Sequence, residues 1–447
     1  MSSGGSSSED DMIYTATPTK WHAVEESGRV TRLRGPKIDR SDDARTPWVR
    51  TDWQGHVDAK LRTGEWYEYY HMPLVTFNKL HDLLFTETPE EHARSKQQGD
   101  NSTKMGTIDT HVKLACTLRE LYGEKRKSIV DVFKISKTSA RLSFLNVLSR
   151  INACPELHGQ LFDTDHSNDV LELRAFAFQQ RSAYPTIFRH VVGAIDGLLI
   201  KTQQPTAKEV GNVRSYYSGH KKLFGVNMQG VCDASCRFIA FSCNTAGSTS
   251  DYVAFKHSNC YGTWPQVPSP FYYVGDCAYP LAPYCIIPYV GTSLPPHEDV
   301  FNFYHSQLRI TIERAFGIFV NVFRIFHTPL AFSISCTCDV VEACVKLHNY
   351  RINENCQHVA RSSSNNAIYR QHSERSNDVF DVLDDERYVT VRPHASDAVY
   401  ARHVAAEEAQ SGLYPCDAAL GVQRRSVVAI ALQHAGALRP AANVRKE

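Results

Sequence analysis

The sequence predicts a mixed α/β protein: a helical region first, then a sheet flanked by helices. Three observations carry this reading. Val191–Ile200 (VVGAIDGLLI) is an almost unbroken apolar run, rich in Val and Ile, of the kind that forms a buried strand. Two further β-like runs, Lys222–Asp233 and Cys236–Asn244, follow it and are joined by the turn text Asp233–Ser235. Between Ile108 and Ile151, by contrast, apolar residues recur at helical spacing.

At 447 residues the chain has room for two or three domains, and 42% hydrophobic with 22% charged residues describes an ordinary globular composition. No stretch approaches the roughly 18 apolar residues of a membrane-spanning helix. The N-terminus (MSSGGSSSEDD) is polar and acidic, which argues against a signal peptide. Thirteen cysteines are scattered and never form a CxxC unit. The closest groupings, Cys232/Cys236 and Cys336/Cys338, lie in apolar text. They read as reduced, mostly buried thiols of an intracellular protein, with zinc binding the alternative. The net charge of +1 names no partner until it is resolved locally.

In chain order, residues 1–45 are rich in Ser, Gly, Asp and Arg without hydrophobic period and are expected to be disordered. A helical region is expected over 46–160. Trp66–Leu84 looks like packed helix with a break at Pro73 and with Phe77, Leu80, Leu83 and Leu84 on one face. Three helices follow within 108–151: Thr110–Tyr122, stopped by Gly123; Ser128–Phe133; and one opening after Ser136, with Leu142, Leu145, Leu148 and Ile151 as its expected apolar face. A short helix, a tight turn and a longer helix form a helix-turn-helix outline. Residues 104–150 hold ten Lys and Arg against four Asp and Glu, so this part is basic within a neutral chain. Lys137, Thr138, Ser139 and Arg141 would then meet DNA, the alternative being a basic-surfaced bundle that touches none.

The three β-like runs are followed by a loop ending in Asp251 and a short helix, Tyr252–His257. Phe271–Gly275 is then a strand ending at Asp276, and a long helix, roughly Asn302–Phe323, carries Glu313. Three hairpin-linked strands followed by a helix-separated parallel strand describe a ribonuclease-H-like topology. In it the first and fourth strands lie side by side, which would bring Asp196 to Asp276, with Glu313 reaching in from the covering helix. A carboxylate inside a buried strand needs a partner or a metal. The competing reading of Asp196–Gly197 is a hairpin turn, since Asp-Gly also signals type I′ turns. Converging carboxylates without paired His or Cys suit Mg2+ or Mn2+. Two such ions about 4 Å apart can activate a water and stabilise the leaving oxygen of a phosphodiester.

Six blocks, VVGAIDGLLIKTQQP, GVNMQGVCD, AGSTSDYVAF, VGDCAYPLAPYCIIPY, FNFYHSQLRITIERAFGIFVNVFRIF and KLHN, resemble in this order the successive blocks of the Harbinger-type (PIF/Harbinger) DDE transposases and the nucleases derived from them. The resemblance spans roughly Tyr184–Tyr350, within a catalytic domain expected over 184–352. Tyr69–Leu84 and 108–151 are more loosely similar to the family's N-terminal part. The resemblance implies an acidic triad of Asp196, Asp276 and Glu313. Asp251 matches a further family aspartate, a supplementary metal ligand or else the cap of its helix. Cys277 stands where the family more often has Ser. The resemblance also implies a Myb/SANT-like DNA-binding partner that assists end recognition and import into the nucleus.

Other residues have quieter readings. Arg214, Lys221 and Lys222 form a basic cluster that either contacts DNA backbone or is a solvated face. His305 and Arg309 share the side of Glu313 and either meet phosphate or pair with carboxylates. His348 is expected to hydrogen-bond in the core, and Tyr279 to pack. Residues 353–447 read as a mostly polar tail in which Val422–His434 could dock back. The leading function is a metal-dependent DNA endonuclease or transposase. Its competitors are a domesticated, non-cleaving DNA-binding protein and, more weakly, a metal-free carboxylate-pair hydrolase acting on sugars. The sequence leaves the oligomeric state open.

Overall fold

The computed structural model describes residues 49–85, 108–158, 167–258, 267–354 and 418–440, together with the backbone of three short strands near the N-terminus. These strands, β1 (Thr15–Thr17), β2 (Lys20–Val24) and β3 (Val30–Arg32), form an antiparallel meander within a unit of its own, Met1–Val49. The sequence suggested no regular element there. Strands of three to five residues are too short for an alternating pattern to stand out.

The second unit, Arg50–Glu447, opens with helices. Helix α1 (Trp53–Thr63) is capped by Asp52, which accepts from the Gly55 N–H at 2.7 Å, and it ends on Gly64 at φ 73°. Pro73 separates α2 (Trp66–Tyr70) from α3 (Leu74–Leu84), as expected, and Trp66, Tyr70, Phe77 and Leu80 are buried. Then come α4 (Thr110–Leu121), α5 (Arg126–Phe133) and α6 (Lys137–Ala153), the last capped by Ser136 accepting from the Ser139 N–H at 3.0 Å.

The buried face of α6 differs from the expected one. Ala140, Phe144, Val147, Leu148 and Ile151 point inward, while Leu142 is 61% and Leu145 40% exposed. The expected leucines recur every three residues. At about 100° per residue, positions 142 and 151 stand about half a turn apart and cannot share a face. Phe144, stacked on Phe332 at 5.6 Å, fixes the rotation instead.

After α7 (Pro155–His158) and α8 (Asn168–Gln179) comes the sheet, built from β4 (Val191–Lys201), β5 (Tyr217–Ser218), β6 (Leu223–Cys232), β7 (Phe238–Ala246), β8 (Tyr272–Val274) and β9 (Cys285–Ile286). Its order is β7–β6–β4–β8–β9, with β5 extending the same edge of β6 that β7 occupies. β4 runs antiparallel to β6 and parallel to β8, so the first and fourth long elements are neighbours, as the topology required. The short α9 (Ala207–Val210) lies between β4 and β5, and α10 (Asp251–Lys256) follows β7. Leu171 and Ala175 of α8 and Phe255 of α10 pack with Val192, Ile195 and Val231 on one face. Across the sheet, α11 (Pro296–Val322) and α12 (Ile334–Asn353) cover Ala194, Met228 and Phe238. Helix α11 starts earlier than expected, at a proline that suits a first turn, with Glu298 and Asp299 there complementing the helix dipole.

Part of the polar C-terminal stretch does dock. Helix α13 (Ala418–His434) packs on α11 and β9. Arg424 donates to the Phe271 carbonyl at 3.2 Å and to Ser269 Oγ at 2.8 Å. The described cysteines are free thiols, mostly buried, and among the described residues no helix is long and apolar enough to cross a membrane.

Candidate active site

Asp196 lies in the middle of β4, paired across to Gly230, so Asp196–Gly197 is strand and not a hairpin turn. Strand alternation sends successive side chains to opposite faces. Gly230 sets the direction: a Cβ there would stand 3.1 Å from Phe316 of α11, so Asp196 shares the α11 face. Its half-buried carboxylate accepts from the Gly197 N–H at 2.8 Å.

Asp276 arrives from the neighbouring strand. β8 pairs in parallel with β4 up to Val274, and Gly275 then passes so close that a Cβ would lie 3.0 Å from Ile195. A tight turn follows, held by Asp276 Oδ1 accepting from the Ala278 N–H at 2.8 Å. Glu313 comes from α11, one turn beyond Arg309. The Arg309 guanidinium bridges the group, with Nη1 2.7 Å from Glu313 Oε1 and 3.9 Å from Asp196 Oδ2.

Electrostatics follow from this crowding. Loss of solvation, then the Asp276 charge, push the Asp196 carboxyl well above the usual carboxylate range, against the pull of Arg309. Burial alone would lower the proton affinity of Arg309, but Glu313, Asp196 and Asp276 raise it. Among the described residues no three His, Cys, Asp or Glu side chains stand close enough to hold one metal ion together. The guanidinium is the positive charge that these carboxylates share.

Asp251 approaches from the opposite face of the sheet. Its Oδ1 lies where a side chain on Gly197 would have to go. Asp251 is the first residue of α10; the cap is Ser250, which accepts from the Val253 N–H. Oδ1 of Asp251 instead accepts from Asn227 Nδ2 and Gln229 Nε2, both at 3.1 Å. The sequence reading passed over these two amides, although their alternation with Val226 and Met228 in an apolar strand was a legible signal.

Residues 195–349 match a family model described as DDE superfamily endonuclease. The match supports a family of the DDE transposase type. It takes in β4 from Ile195 onward, α11, α12 as far as Asn349 and all four carboxylates of the site. Comparison with curated proteins and with solved structures gives no match.

Other candidate residues fall outside or beside the carboxylate group of the matched segment. His305 is buried and donates Nε2–H to the Ile286 carbonyl at 2.9 Å. His348 does the same to the Cys236 carbonyl at 2.8 Å, as expected of a core histidine. Tyr279 packs edge-on against Phe255 and also donates its hydroxyl to Gln229 Oε1. Arg214, Lys221 and Lys222 are exposed around the β5–β6 hairpin. N-terminal to the segment, Lys137, Thr138 and Arg141 of α6 join Arg126 and Lys127 of α5 around a cavity of about 400 Å³. Ser139 is engaged with the Ser136 cap and does not line it.

Proposed function

We propose that the chain is a divalent-metal-dependent DNA endonuclease of the Harbinger transposase type, cleaving phosphodiester bonds and able to pass the freed 3′-hydroxyl to target DNA. The observation that carries this is the Asp196–Arg309–Glu313 bridge with Asp276 beside it: an excess of carboxylate over a single guanidinium, in a half-buried setting.

That donor set fits Mg2+ or Mn2+, since it offers hard carboxylate oxygens without paired histidines or thiolates. Asp196 and Asp276 are the residues that would hold the metal, with Glu313 completing the shell and Asp251 supplementing it. Such cations, when bound, supply an activated water and charge stabilisation for the leaving oxygen. The protein contributes the crowding that raises the affinity of Asp196 for a positive charge, and the strands and helix that carry Asp196, Asp276 and Glu313 to one side of the sheet. Arg309, released from Glu313, brings a positive charge to the same place for a phosphate.

The basic cavity between α5 and α6 gives the DNA backbone a second contact, through Arg126, Lys127, Lys137, Thr138 and Arg141. Arg214, Lys221 and Lys222 extend the basic surface. A Myb/SANT-like partner and nuclear residence complete this reading, because a near-neutral chain gains little from long-range attraction to DNA alone.

The experiment is cleavage of DNA bearing the element's terminal repeats, with Mn2+ present. Wild type should cut, and Asp276→Asn should not, while both bind the DNA. Binding without cleavage by wild type would instead favour a non-cleaving DNA-binding protein, and cutting that survives EDTA would remove the metal.

A further inference from the structure

Helix α6 presents a side that the protein core does not use. Ala140, Phe144, Val147, Leu148 and Ile151 face inward, whereas Thr138, Leu142, Leu145 and Ser149 are all exposed. At about 100° per residue these four fall within an arc of about 60°, so they form one row along the helix. The middle of the row is apolar: Leu142 is 61% and Leu145 40% exposed.

The surroundings of this row are cationic. Lys137 and Arg141 leave it on the side towards α5 and, with Thr138, line the basic cavity beside Arg126 and Lys127. Helix α6 itself, 17 residues long, carries no Asp or Glu. An apolar strip bordered by cations suits a polyanion that sets apolar groups between its charges. The major groove of DNA is such a surface, flanked by phosphates and bearing the C5 methyl of each thymine on its floor. Local architecture agrees with that occupant. Helix α4 packs against both α5 and α6, and the turn between these two runs only Lys134–Ser136, with Lys134 left-handed at φ 51°. In this arrangement the second helix of the pair enters the groove with the residues of its first turns at the base edges. Contacts to phosphate fix the register of such a helix but read no sequence, so discrimination falls to the row that faces the bases.

We infer that Leu142 and Leu145 are specificity-determining residues that read thymine methyl groups in the major groove, while Lys137 and Arg141 hold the flanking phosphates. The inference rests on the DNA-directed function proposed above and adds to it a sequence preference that the basic cavity cannot supply.

The test selects duplexes from a random-sequence pool with the full chain, kept in EDTA so that nothing is cut. Binding of a selected duplex is then compared with that of the same duplex carrying deoxyuridine for one thymine, a change that removes only the methyl group. The selected duplexes should share a thymine, and its replacement should weaken wild-type binding about fourfold, the worth of one buried methyl group. Leu142→Ala and Leu145→Ala should each bind the thymine and uracil forms of one position alike, with the salt dependence of wild type, because no phosphate contact is lost. Leu173→Ala, at an exposed leucine of α8, is the control and should keep the preference. Equal binding of thymine and uracil duplexes by wild type overturns the inference, as does a pool that shows no enrichment or a preference that survives both leucine variants. If the leucines instead face a second copy of the chain, Leu142→Ala changes its sedimentation and leaves the thymine preference unaltered, which also overturns it. In each of these cases the nuclease reading stands and is decided by cleavage. A wild type that binds nothing in the pool removes the DNA reading as well. Should one leucine variant fail to fold, the other variant and the uracil comparison in wild type decide.

Discussion

Gly197 and Asp251 compete for one place: a Cβ on Gly197 would fall inside the van der Waals envelope of Asp251 Oδ1, and 2.8 Å from Gln229 Nε2. Neither neighbour is a loose side-chain end, because each holds the other by a hydrogen bond. Gly197→Ala must therefore move Asp251 or bend β4 next to Asp196. We expect DNA cleavage to fall by at least tenfold and the rise in melting temperature with Mn2+ to shrink. The fold should persist, since one methyl group in a half-exposed position perturbs little else. Retention of full cleavage would show that the position of Asp251 does not matter to the reaction.

The cavity between α5 and α6 concentrates cations where the chain as a whole is neutral. Lys137→Ala and Arg141→Ala should each weaken DNA binding at all sequences alike. Each should also reduce the slope of log K against log salt by about one unit, the signature of one lost phosphate contact. Arg126 is a poorer probe because it is paired with Glu120 through a two-pronged ion pair. Unchanged slopes in both variants would remove α6 from the DNA interface.

How much of this was legible differs from element to element. β4 and its central carboxylate could be read because a strand in the middle of a sheet, with helices packed on both faces, leaves a nearly continuous apolar run. The neighbourhood of Asp196 and Asp276 followed from topology alone. The inward face of α6 differs from the expected one because three leucines and an isoleucine at regular spacing imitate a stripe, whereas Phe144 sets the helix rotation through a contact nearly 190 positions away. β9 was invisible: two residues between Pro283 and Pro288 carry no periodicity. The Tyr279–Gln229–Asp251 chain joins residues far apart in sequence, and hydrogen bonds of that kind leave no local pattern beyond two amides in an apolar strand.

His348 gives the fold a calculable weakness in acid. It is fully buried, donates Nε2–H to the Cys236 carbonyl, and has no partner at Nδ1. Burial, with a smaller push from Arg351, lowers its pKa from 6.5 to about 4. Between these values the unfolded chain holds a proton that the folded chain does not. Stability from this residue is thus complete above pH 6.5 and declines as pH falls towards 4, by about 1.4 kcal/mol per pH unit. His348→Gln keeps a donor for the carbonyl and removes the titration. Urea unfolding at pH 7, 6 and 5 should show a shallower decline for the variant, by about one proton. Parallel declines would mean that His348 is not held neutral.

The Arg309 bridge makes the last prediction, because a guanidinium and a divalent cation cannot both neutralise the same carboxylates. In the metal-free protein Arg309 compensates Glu313 at 2.7 Å and, more distantly, Asp196. Arg309→Gln removes that compensation and leaves Asp196, Asp276 and Glu313 to repel one another. The metal-free variant should therefore melt below wild type. Saturating Mn2+ should then raise its melting temperature by more than it raises that of wild type, since no internal cation has to be displaced before the ion binds. Ligand linkage converts tighter binding to the folded state directly into added stability. Asp276→Asn should behave in the opposite way: near neutral or slightly stabilising without metal, through relief of the same repulsion, and gaining little from Mn2+. If Arg309 were only a structural tie between α11 and β4, Mn2+ would shift Arg309→Gln and wild type equally. Melts of the three proteins, with and without Mn2+, separate the two cases, and equal shifts for Arg309→Gln and wild type would rule out competition between the guanidinium and the ion.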